Sequence, residues 1–226
     1  MSRNLDGNLC RFNPDLTLNA QIQVLEYKRN IFEISRERFD PGMIIGQGQF
    51  GTVGLGTLIT DSGRREKVAV KQAKNHGDRS QWLSIIDELK ILSQLERNYS
   101  LVNLVGANTL DFQSMGKLYL LLEYCPHGDM KTFLGKNRRN FSPSPISTPG
   151  RVENEFNMSL LFTWSYSIAH GMNYLASKKI MHGDLAARNI LIGAGYEAKI
   201  SDFGLSKMMY YNEDYKKTER KMIPWA

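Results

Sequence analysis

The sequence predicts an α+β fold with two lobes, the first rich in β-sheet and the second mainly helical. Strand signals, in which apolar and β-branched residues lie between glycines or charged residues, occur at 43–45, 51–58 and 67–71. Later in the chain, apolar residues recur with the period of an α-helix at Leu161, Trp164, Ile168, Met172 and Leu175. A chain of 226 residues is long enough to form two small lobes around a cleft.

The other elements of the first lobe are predicted in the same way. A helix is expected over 81–95, with an apolar face formed by Trp82, Ile85, Leu89 and Leu92. Strands are expected at 101–107 and 117–124. Residues 1 to about 30 are polar and lack clear periodicity, so they are expected to be flexible.

A linker is predicted inside the second half. Residues 141–150 hold three of the chain's seven prolines and show no apolar period, which indicates an extended loop. Its Ser-Pro and Thr-Pro pairs could be phosphorylation sites, or the segment is simply a solvated loop.

Composition excludes several classes of protein. The net charge of +6 is spread along the chain, with its densest clusters at 136–139 and 216–217, so no basic stripe predicts nucleic-acid binding. No apolar run approaches the roughly 18 residues of a membrane span, and the first residues lack the apolar core of a signal peptide. Two cysteines, Cys10 and Cys125, indicate a reducing compartment. We therefore expect this chain, taken alone, to be cytoplasmic.

A glycine-rich turn lies near the start of the first lobe. Because Gly46, Gly48 and Gly51 have no side chains, the backbone there can approach a phosphate group closely. Dinucleotide-binding oxidoreductases use similar glycines, but a helix follows them directly. Here residues 52–57 continue as a strand, which argues against that alternative.

The loop His182-Gly183-Asp184-Leu185-Ala186-Ala187-Arg188-Asn189 carries most of the chemical information, together with Asp202-Phe203-Gly204 further on. Asp184 is a candidate base for a substrate hydroxyl. Asn189 and Asp202, thirteen positions apart, offer the hard oxygen ligands that Mg²⁺ prefers. Upstream, Val68-Ala69-Val70-Lys71 would bury the stem of Lys71 and present its ammonium group to phosphate, although a lone strand-end lysine is often only structural.

These motifs, in this order, resemble a protein tyrosine kinase of the receptor type, most like the fibroblast and vascular endothelial growth factor receptors. The resemblance covers about residues 25–226. It implies a protein-kinase-like two-lobed fold, with a five-stranded antiparallel sheet and one helix in the first lobe. It also implies transfer of the γ-phosphoryl group of ATP to protein tyrosine, with Mg²⁺.

The resemblance assigns roles to individual residues. Asp184, Arg188, Lys71 and Glu88 would be catalytic, with Asp87 as the competitor for the role of Glu88. Asn189 and Asp202 would hold the metal. ATP would contact Ile45, Gly46, Gln47, Gly48, Gly51, Val53, Ala69, Lys71, Leu122, Glu123, Cys125, Asp129 and Leu191.

The same comparison divides the chain into regions. Residues 1–35 would be a flexible, juxtamembrane-like lead-in, 36–124 the first lobe, and 125–129 the hinge. Residues 130–226 would form an incomplete helical lobe with a short insert at about 136–156, ending within the activation segment. In a receptor, this domain would lie at the cytoplasmic face of the plasma membrane.

One position departs from the family pattern. Gly183 stands where these kinases carry an arginine that clamps a phosphorylated residue of the activation segment. The candidate phosphorylation sites are Tyr210, Tyr211 and Tyr215, which a partner in a receptor dimer would phosphorylate. We expect their phosphorylation to change activity less than in a typical receptor kinase. The alternative is a non-catalytic, pseudokinase-like fragment that binds nucleotide or dimerises.

Overall fold

The first lobe is built on an antiparallel sheet. The computed structural model describes residues 25–48, 51–74, 79–110, 112, 117–143 and 156–208. The strands of the sheet are β1 (Phe39–Gln47), β2 (Thr52–Ile59), β3 (Arg65–Gln72), β4 (Leu104–Asn108) and β5 (Tyr119–Glu123). They lie in the order β1-β2-β3-β5-β4, and every neighbouring pair is antiparallel. The predicted five-stranded sheet is confirmed.

Strand β3 is the centre of this sheet. Residues 68–71 are buried without interruption, as expected for a strand that is covered on both faces. Val68 and Val70 pack with Phe39, Leu58 and Leu121 in an apolar cluster. Because the side chains of a strand alternate between its faces, Ala69 and Lys71 point to the other side. This alternation directs Lys71 towards the cleft.

One long helix of the first lobe packs against the sheet, and a shorter one precedes it. The short helix is α1 (Arg29–Phe32), and the long one is α2 (Arg79–Leu92). The apolar face predicted for α2 is buried at Trp82, Ile85, Leu89 and Leu92. The helix starts and ends slightly earlier than the predicted 81–95. At its end the chain turns, where Ser93 donates a hydrogen bond from its hydroxyl to the carbonyl of Lys90 at 2.9 Å.

Residues 25–35 differ from the flexible lead-in that we predicted. Leu25 and Tyr27 are buried in the core of the first lobe. The carboxylate of Glu33 accepts hydrogen bonds from the backbone and the hydroxyl of Thr109, both at 2.7 Å. The amide of Ile34 donates to the carbonyl of Ala107 at 2.8 Å. These contacts attach the segment to β4, and sequence periodicity missed them because the segment is short.

The second lobe begins with two capped helices. Helix α3 (Met130–Asn137) starts at Asp129, whose carboxylate accepts from the amide of Thr132. Helix α4 (Met158–Ser177) starts at Asn157, whose side chain accepts from the amide of Leu160. Such caps satisfy backbone donors that have no partner within the helix. The predicted stripe on α4 is largely confirmed, with Trp164 and Leu175 buried and the rest partly buried.

Short strands hold the loop that carries Asp184. They are β6 (Ile180–Met181), β7 (Ile190–Ile192), β8 (Ala198–Ile200) and β9 (Lys207–Met208). Strand β6 pairs with β9, and β7 pairs with β8. Both ends of the 182–189 loop are therefore anchored to other parts of the chain.

Two segments for which the sequence made predictions lie outside the described residues. They are residues 144–155, most of the predicted insert, and 209–226, with all three candidate tyrosines. Among the residues that are described, no helix has both the length and the apolar character needed to cross a membrane.

Candidate active site

The buried half of the site is an ion cluster between the two lobes. The ammonium nitrogen of Lys71 lies 2.6 Å from a carboxylate oxygen of Glu88 and 3.1 Å from one of Asp202. The side chain of Glu88 is 1% exposed and that of Lys71 is 10% exposed. The prediction of Glu88 rather than Asp87 as the partner of Lys71 agrees with this geometry.

Burial and charge act in opposite directions on Lys71. Desolvation by itself lowers the pKa of the lysine, but the two carboxylates outweigh it and hold the pKa above its usual range. Lys71 therefore stays charged at neutral pH. A buried cation between two carboxylates can attract the oxygens of a phosphate while it remains bound to the protein.

The exposed half of the site is the loop around Asp184. One carboxylate oxygen of Asp184 accepts from the guanidinium of Arg188 at 2.5 Å, and the other accepts from the side-chain amide of Asn189 at 2.8 Å. Asn189 also donates to the backbone carbonyl of Asp184 at 2.8 Å. Both oxygens are thus held in position, as is required of a group that must meet a substrate hydroxyl.

The side chain of His182 is buried and holds this loop through hydrogen bonds. The sequence analysis did not assign a role to this residue. Its Nδ1 accepts from the amide of Asp184 at 3.3 Å, and its Nε2 lies 2.9 Å from the carbonyl of Ser201. These partners require a neutral ring with the proton on Nε2. Burial agrees, because it lowers the pKa of His182. The position of His182 at the start of the 182–189 motif could have pointed to this role.

Asp202 connects the two halves. Its backbone is left-handed, with φ of +62°, a conformation that costs free energy for any residue with a β-carbon. The next residue, Phe203, is buried against His182 with ring centroids 5.2 Å apart. Its backbone also donates a hydrogen bond to Glu88. The carboxylate of Asp202 is thereby held beside Lys71.

The glycine-rich turn follows β1 and precedes β2. Gly46 pairs with Val53 and Gln47 with Thr52, while Ile45 is half exposed. A β-carbon at Gly51 would collide with the carbonyl of Gln72, whereas one at Gly48 would meet nothing within 4 Å. Gly51 therefore serves the packing of the sheet, and Gly48 leaves an open approach to the backbone.

Several of the predicted ATP contacts lie on strands of the two lobes. Val53 pairs with Lys71, Ala69 pairs with Leu122, and Leu191 forms a bridge with Asp129. Ala69 is buried, and Leu122 is partly buried. The predicted contacts therefore come from β2, β3 and β5 of the first lobe and from β7 of the second.

Two hinge residues have further contacts. Among described residues, the amide of Cys125 makes no backbone hydrogen bond, while its carbonyl accepts from Gly128 at 3.3 Å. Burial raises the pKa of the Cys125 thiol to about 12, so it is an unreactive small residue. Asp129 uses one carboxylate oxygen to cap α3.

Glu123 belongs to a polar network that the sequence did not reveal. Its carboxylate accepts from the side-chain amide of Asn103 at 2.8 Å and pairs with the ammonium group of Lys199 at 2.9 Å. The network joins the segment before β4 to the end of β5 and to β8. No motif marks it, because its three members come from distant parts of the chain.

A strand lysine paired with a helix carboxylate, together with a loop that carries an aspartate and an asparagine, is the constellation of a phosphoryl-transfer site. A family model described as protein tyrosine and serine/threonine kinase matches residues 40–226. The chain belongs to this family, and its two lobes are those of a kinase domain.

Several similar proteins are growth factor receptors by name. Fibroblast growth factor receptor homolog 1 of Drosophila melanogaster is 34% identical over 200 residues, covering 85% of this chain and 26% of that protein. Fibroblast growth factor receptor 1 of Pleurodeles waltl is 34% identical over 94% of this chain and 26% of its own length. Vascular endothelial growth factor receptor 3 of Danio rerio is 31% identical over 93% of this chain and 18% of its own. The chain thus spans about a quarter or less of these relatives.

Proposed function

We propose that this kinase domain transfers the γ-phosphoryl group of ATP to tyrosine hydroxyls of proteins, as part of a receptor. Two observations carry the proposal: Asp184 is held by Arg188 and Asn189, and Lys71 is paired with both Glu88 and Asp202. A lysine–glutamate pair that is already formed is a requirement of the active kinase arrangement.

Each side chain has a distinct task in this proposal. Lys71 binds phosphate oxygens, and Glu88 holds its ammonium group in place. Asp184 orients the phenolic hydroxyl and accepts its proton as the new oxygen–phosphorus bond forms. The bond between the γ-phosphorus and the β–γ bridging oxygen of ATP breaks in the same transfer, and ADP leaves. Arg188 keeps the carboxylate of Asp184 in position, and the small side chains of Ala186 and Ala187 leave room for a phenol ring.

The residues around Asp202 fit a magnesium ion. The side-chain nitrogen of Asn189 donates to Asp184, which leaves its oxygen as the group available to a metal. Asp202 uses one carboxylate oxygen for Lys71. The described residues contain no group of three or more His, Cys, Asp and Glu placed to hold a metal, so phosphate oxygens and waters would complete the shell. When bound, Mg²⁺ supplies positive charge to the phosphates.

The direct test is a product assay. The protein is incubated with ATP, Mg²⁺ and a peptide containing a single tyrosine, and mass spectrometry identifies the phosphorylated residue. A matched peptide with phenylalanine at that position is the control. Phosphotyrosine that disappears in the Asp184→Asn variant supports the proposal. Transfer to serine instead of tyrosine, or transfer that survives in the variant, contradicts it.

A second candidate is a domain that binds ATP without turning it over. Gly183 favours it, because the arginine that couples this loop to a phosphorylated activation segment is missing. Binding of ATP with Mg²⁺, seen by calorimetry, with no phosphotyrosine after prolonged incubation would support this candidate over the first.

The partners and the location follow from the same proposal. Because similar proteins are named as receptors, we propose that the domain acts at the cytoplasmic face of the plasma membrane. Two receptor copies would phosphorylate each other on Tyr210, Tyr211 or Tyr215. Phosphopeptide mapping of mixed active and Asp184→Asn copies tests this exchange, because only transfer between copies can label the inactive one.

A further inference from the structure

A cavity outside the active site lies between three parts of the first lobe. Its described lining residues are at 28, 31–32, 92–97 and 101–104. None of the residues assigned above to ATP, metal or catalysis is among them. Its volume of about 320 Å³ falls within the range of small-molecule sites in proteins, which is about 300–1,000 Å³. The cavity is therefore large enough to be a second binding site.

Large apolar side chains form much of the cavity wall. Six of them come from α1, from the end of α2 with the turn after it, and from the chain up to β4: Ile31, Phe32, Leu92, Leu95, Leu101 and Leu104. Leu92 and Leu101 are buried in the core of the lobe, while Ile31 is 65% exposed. The cavity thus has a packed apolar floor and borders the solvent at Ile31. An apolar ligand body would bury surface there that water otherwise covers, which favours binding.

Two cations border the cavity without an anionic partner. Lys28 and Arg97 line it, and neither forms an ion pair with another residue that the structure describes. Of the described lining residues only Glu96 is acidic, and its carboxylate pairs with the ammonium group of Lys178 at 3.1 Å. The lining therefore carries an excess of positive charge, which an anionic group on a ligand would complement.

The neutral polar side chains of the lining already have partners within the protein. The hydroxyl of Ser93 and the side-chain amide of Gln94 each donate to a backbone carbonyl at 2.9 Å. The side-chain amide of Asn103 donates to the carboxylate of Glu123 at 2.8 Å. Because these donors are occupied, the two cations are the groups that would select the polar end of a ligand.

We propose that this cavity binds an alkyl carboxylate, with the alkyl chain against the apolar wall and the carboxylate beside Lys28 and Arg97. The alkyl chain supplies most of the affinity, because exposed ion pairs are weak. The two cations supply the preference for an anion over a cation of the same chain length. Since the wall belongs to α1 and to the end of α2, the bound chain holds these two elements together. This site does not depend on the proposed kinase function.

The experiment uses decanoate as the probe, added to the 226-residue chain below the critical micelle concentration. Chemical shifts of the backbone amides locate the site and give the Kd. We expect shifts at 28–32, 92–97 and 101–104 that saturate with a single Kd. Decylammonium has the same alkyl chain and the opposite charge. It should bind about 5- to 30-fold more weakly, since two weak attractions become repulsions.

Two variants test the two ends of the ligand separately. Lys28→Gln/Arg97→Gln removes the cations and should weaken decanoate binding about 2- to 10-fold, without weakening that of decylammonium. Ile31→Trp occupies the open side of the cavity and should weaken both ligands alike. Arg65→Gln/Lys67→Gln is the matched control, because it removes one arginine and one lysine that are exposed on β3, outside the cavity. The control should leave the Kd of decanoate unchanged.

Three results would overturn the proposal. The first is the absence of saturating shifts at the lining residues, including the case in which decanoate shifts only other parts of the chain. The second is an equal Kd for decanoate and decylammonium, which would mean that the cavity accepts any apolar chain. The third is an unchanged Kd for decanoate in Lys28→Gln/Arg97→Gln. The first two comparisons use the unmodified protein, so they decide the question independently of how the variants fold.

Discussion

Two ion pairs of the site, Lys71 with Glu88 and Arg188 with Asp184, lie in different surroundings. Lys71 and Glu88 are 10% and 1% exposed, whereas Arg188 and Asp184 are 50% and 17% exposed. Both pairs are short, but only the first is isolated from water. A buried charge that loses its partner costs far more than an exposed one. The buried pair should therefore serve stability as well as chemistry, and the exposed pair should serve chemistry alone.

The largest effect is expected from Lys71→Met. This change leaves the carboxylate of Glu88 buried without its cation, which should lower the free energy of unfolding by about 3–5 kcal/mol. It should also abolish phosphoryl transfer, since the phosphate ligand is gone. Urea denaturation and a phosphotyrosine assay measure the two losses separately.

The double variant Lys71→Met/Glu88→Leu is the control for this experiment. Removing both charges should restore most of the stability, because apolar packing can replace a buried ion pair. Activity should stay absent. If Lys71→Met is as stable as the unmodified protein, then the buried pair of Lys71 and Glu88 does not contribute to the free energy of unfolding.

Asp184→Asn should have the next largest effect, confined to catalysis. The amide cannot take the proton of the substrate hydroxyl, so kcat should fall by about 10²- to 10⁴-fold. The KM for ATP and the urea midpoint should change little, since the side chain keeps its shape. A normal kcat in Asp184→Asn would show that Asp184 does not accept the proton of the substrate hydroxyl.

Arg188→Ala should have a smaller effect on the same step. The guanidinium is half exposed, so its pair with Asp184 contributes little to stability. Loss of the brace should reduce kcat by about 10- to 100-fold through misplacement of the carboxylate. The kcat of Arg188→Lys, which keeps the charge but not the fork geometry, should lie between those of the unmodified protein and Arg188→Ala. Equal rates in all three proteins would show that Asp184 needs no brace.

The smallest effect should come from titration of Glu123, whose side chain is 30% exposed, more than that of Glu88 or Asp184. Burial raises its pKa, but hydrogen bonds from Asn103 and Lys199 outweigh burial and hold it below the ordinary value of 4.5. Its contribution to stability is then fully present above the unfolded pKa and is lost as the pH falls through the folded pKa.

Urea midpoints of the unmodified protein and of Glu123→Gln measure this contribution. Their difference should be constant above about pH 5.5 and should shrink below the ordinary pKa of 4.5. Glutamine keeps an acceptor for Asn103 and is therefore a conservative control. A difference that grows as the pH falls would mean that the pKa of Glu123 is raised instead.

Much of the fold could be predicted from local pattern. The apolar face of α2 and the sheet strands were found because burial of one face leaves a period in the sequence. Residues 25–35 were missed because their attachment depends on Glu33 meeting Thr109, 76 positions away. No local pattern records such a contact.

The candidate site shows the same division. Sequence motifs identified Lys71, Asp184, Asn189 and Asp202 without any distance between them. The contact of Lys71 with Asp202 spans 131 positions. Asn103, Glu123 and Lys199 were not found as a group, because their polar network exists only after β4, β5 and β8 have packed.

The sequence by itself determined which chemical groups this protein can bring to a phosphate and a hydroxyl, since those groups lie in short motifs with characteristic spacing. It also showed that residue 183 has no side chain. Only the tertiary structure decided that Gly183 adopts a left-handed backbone directly beneath the carbonyl of Leu205. The reason is physical: backbone angles and burial are set by the close packing of distant segments, which no single stretch of sequence contains.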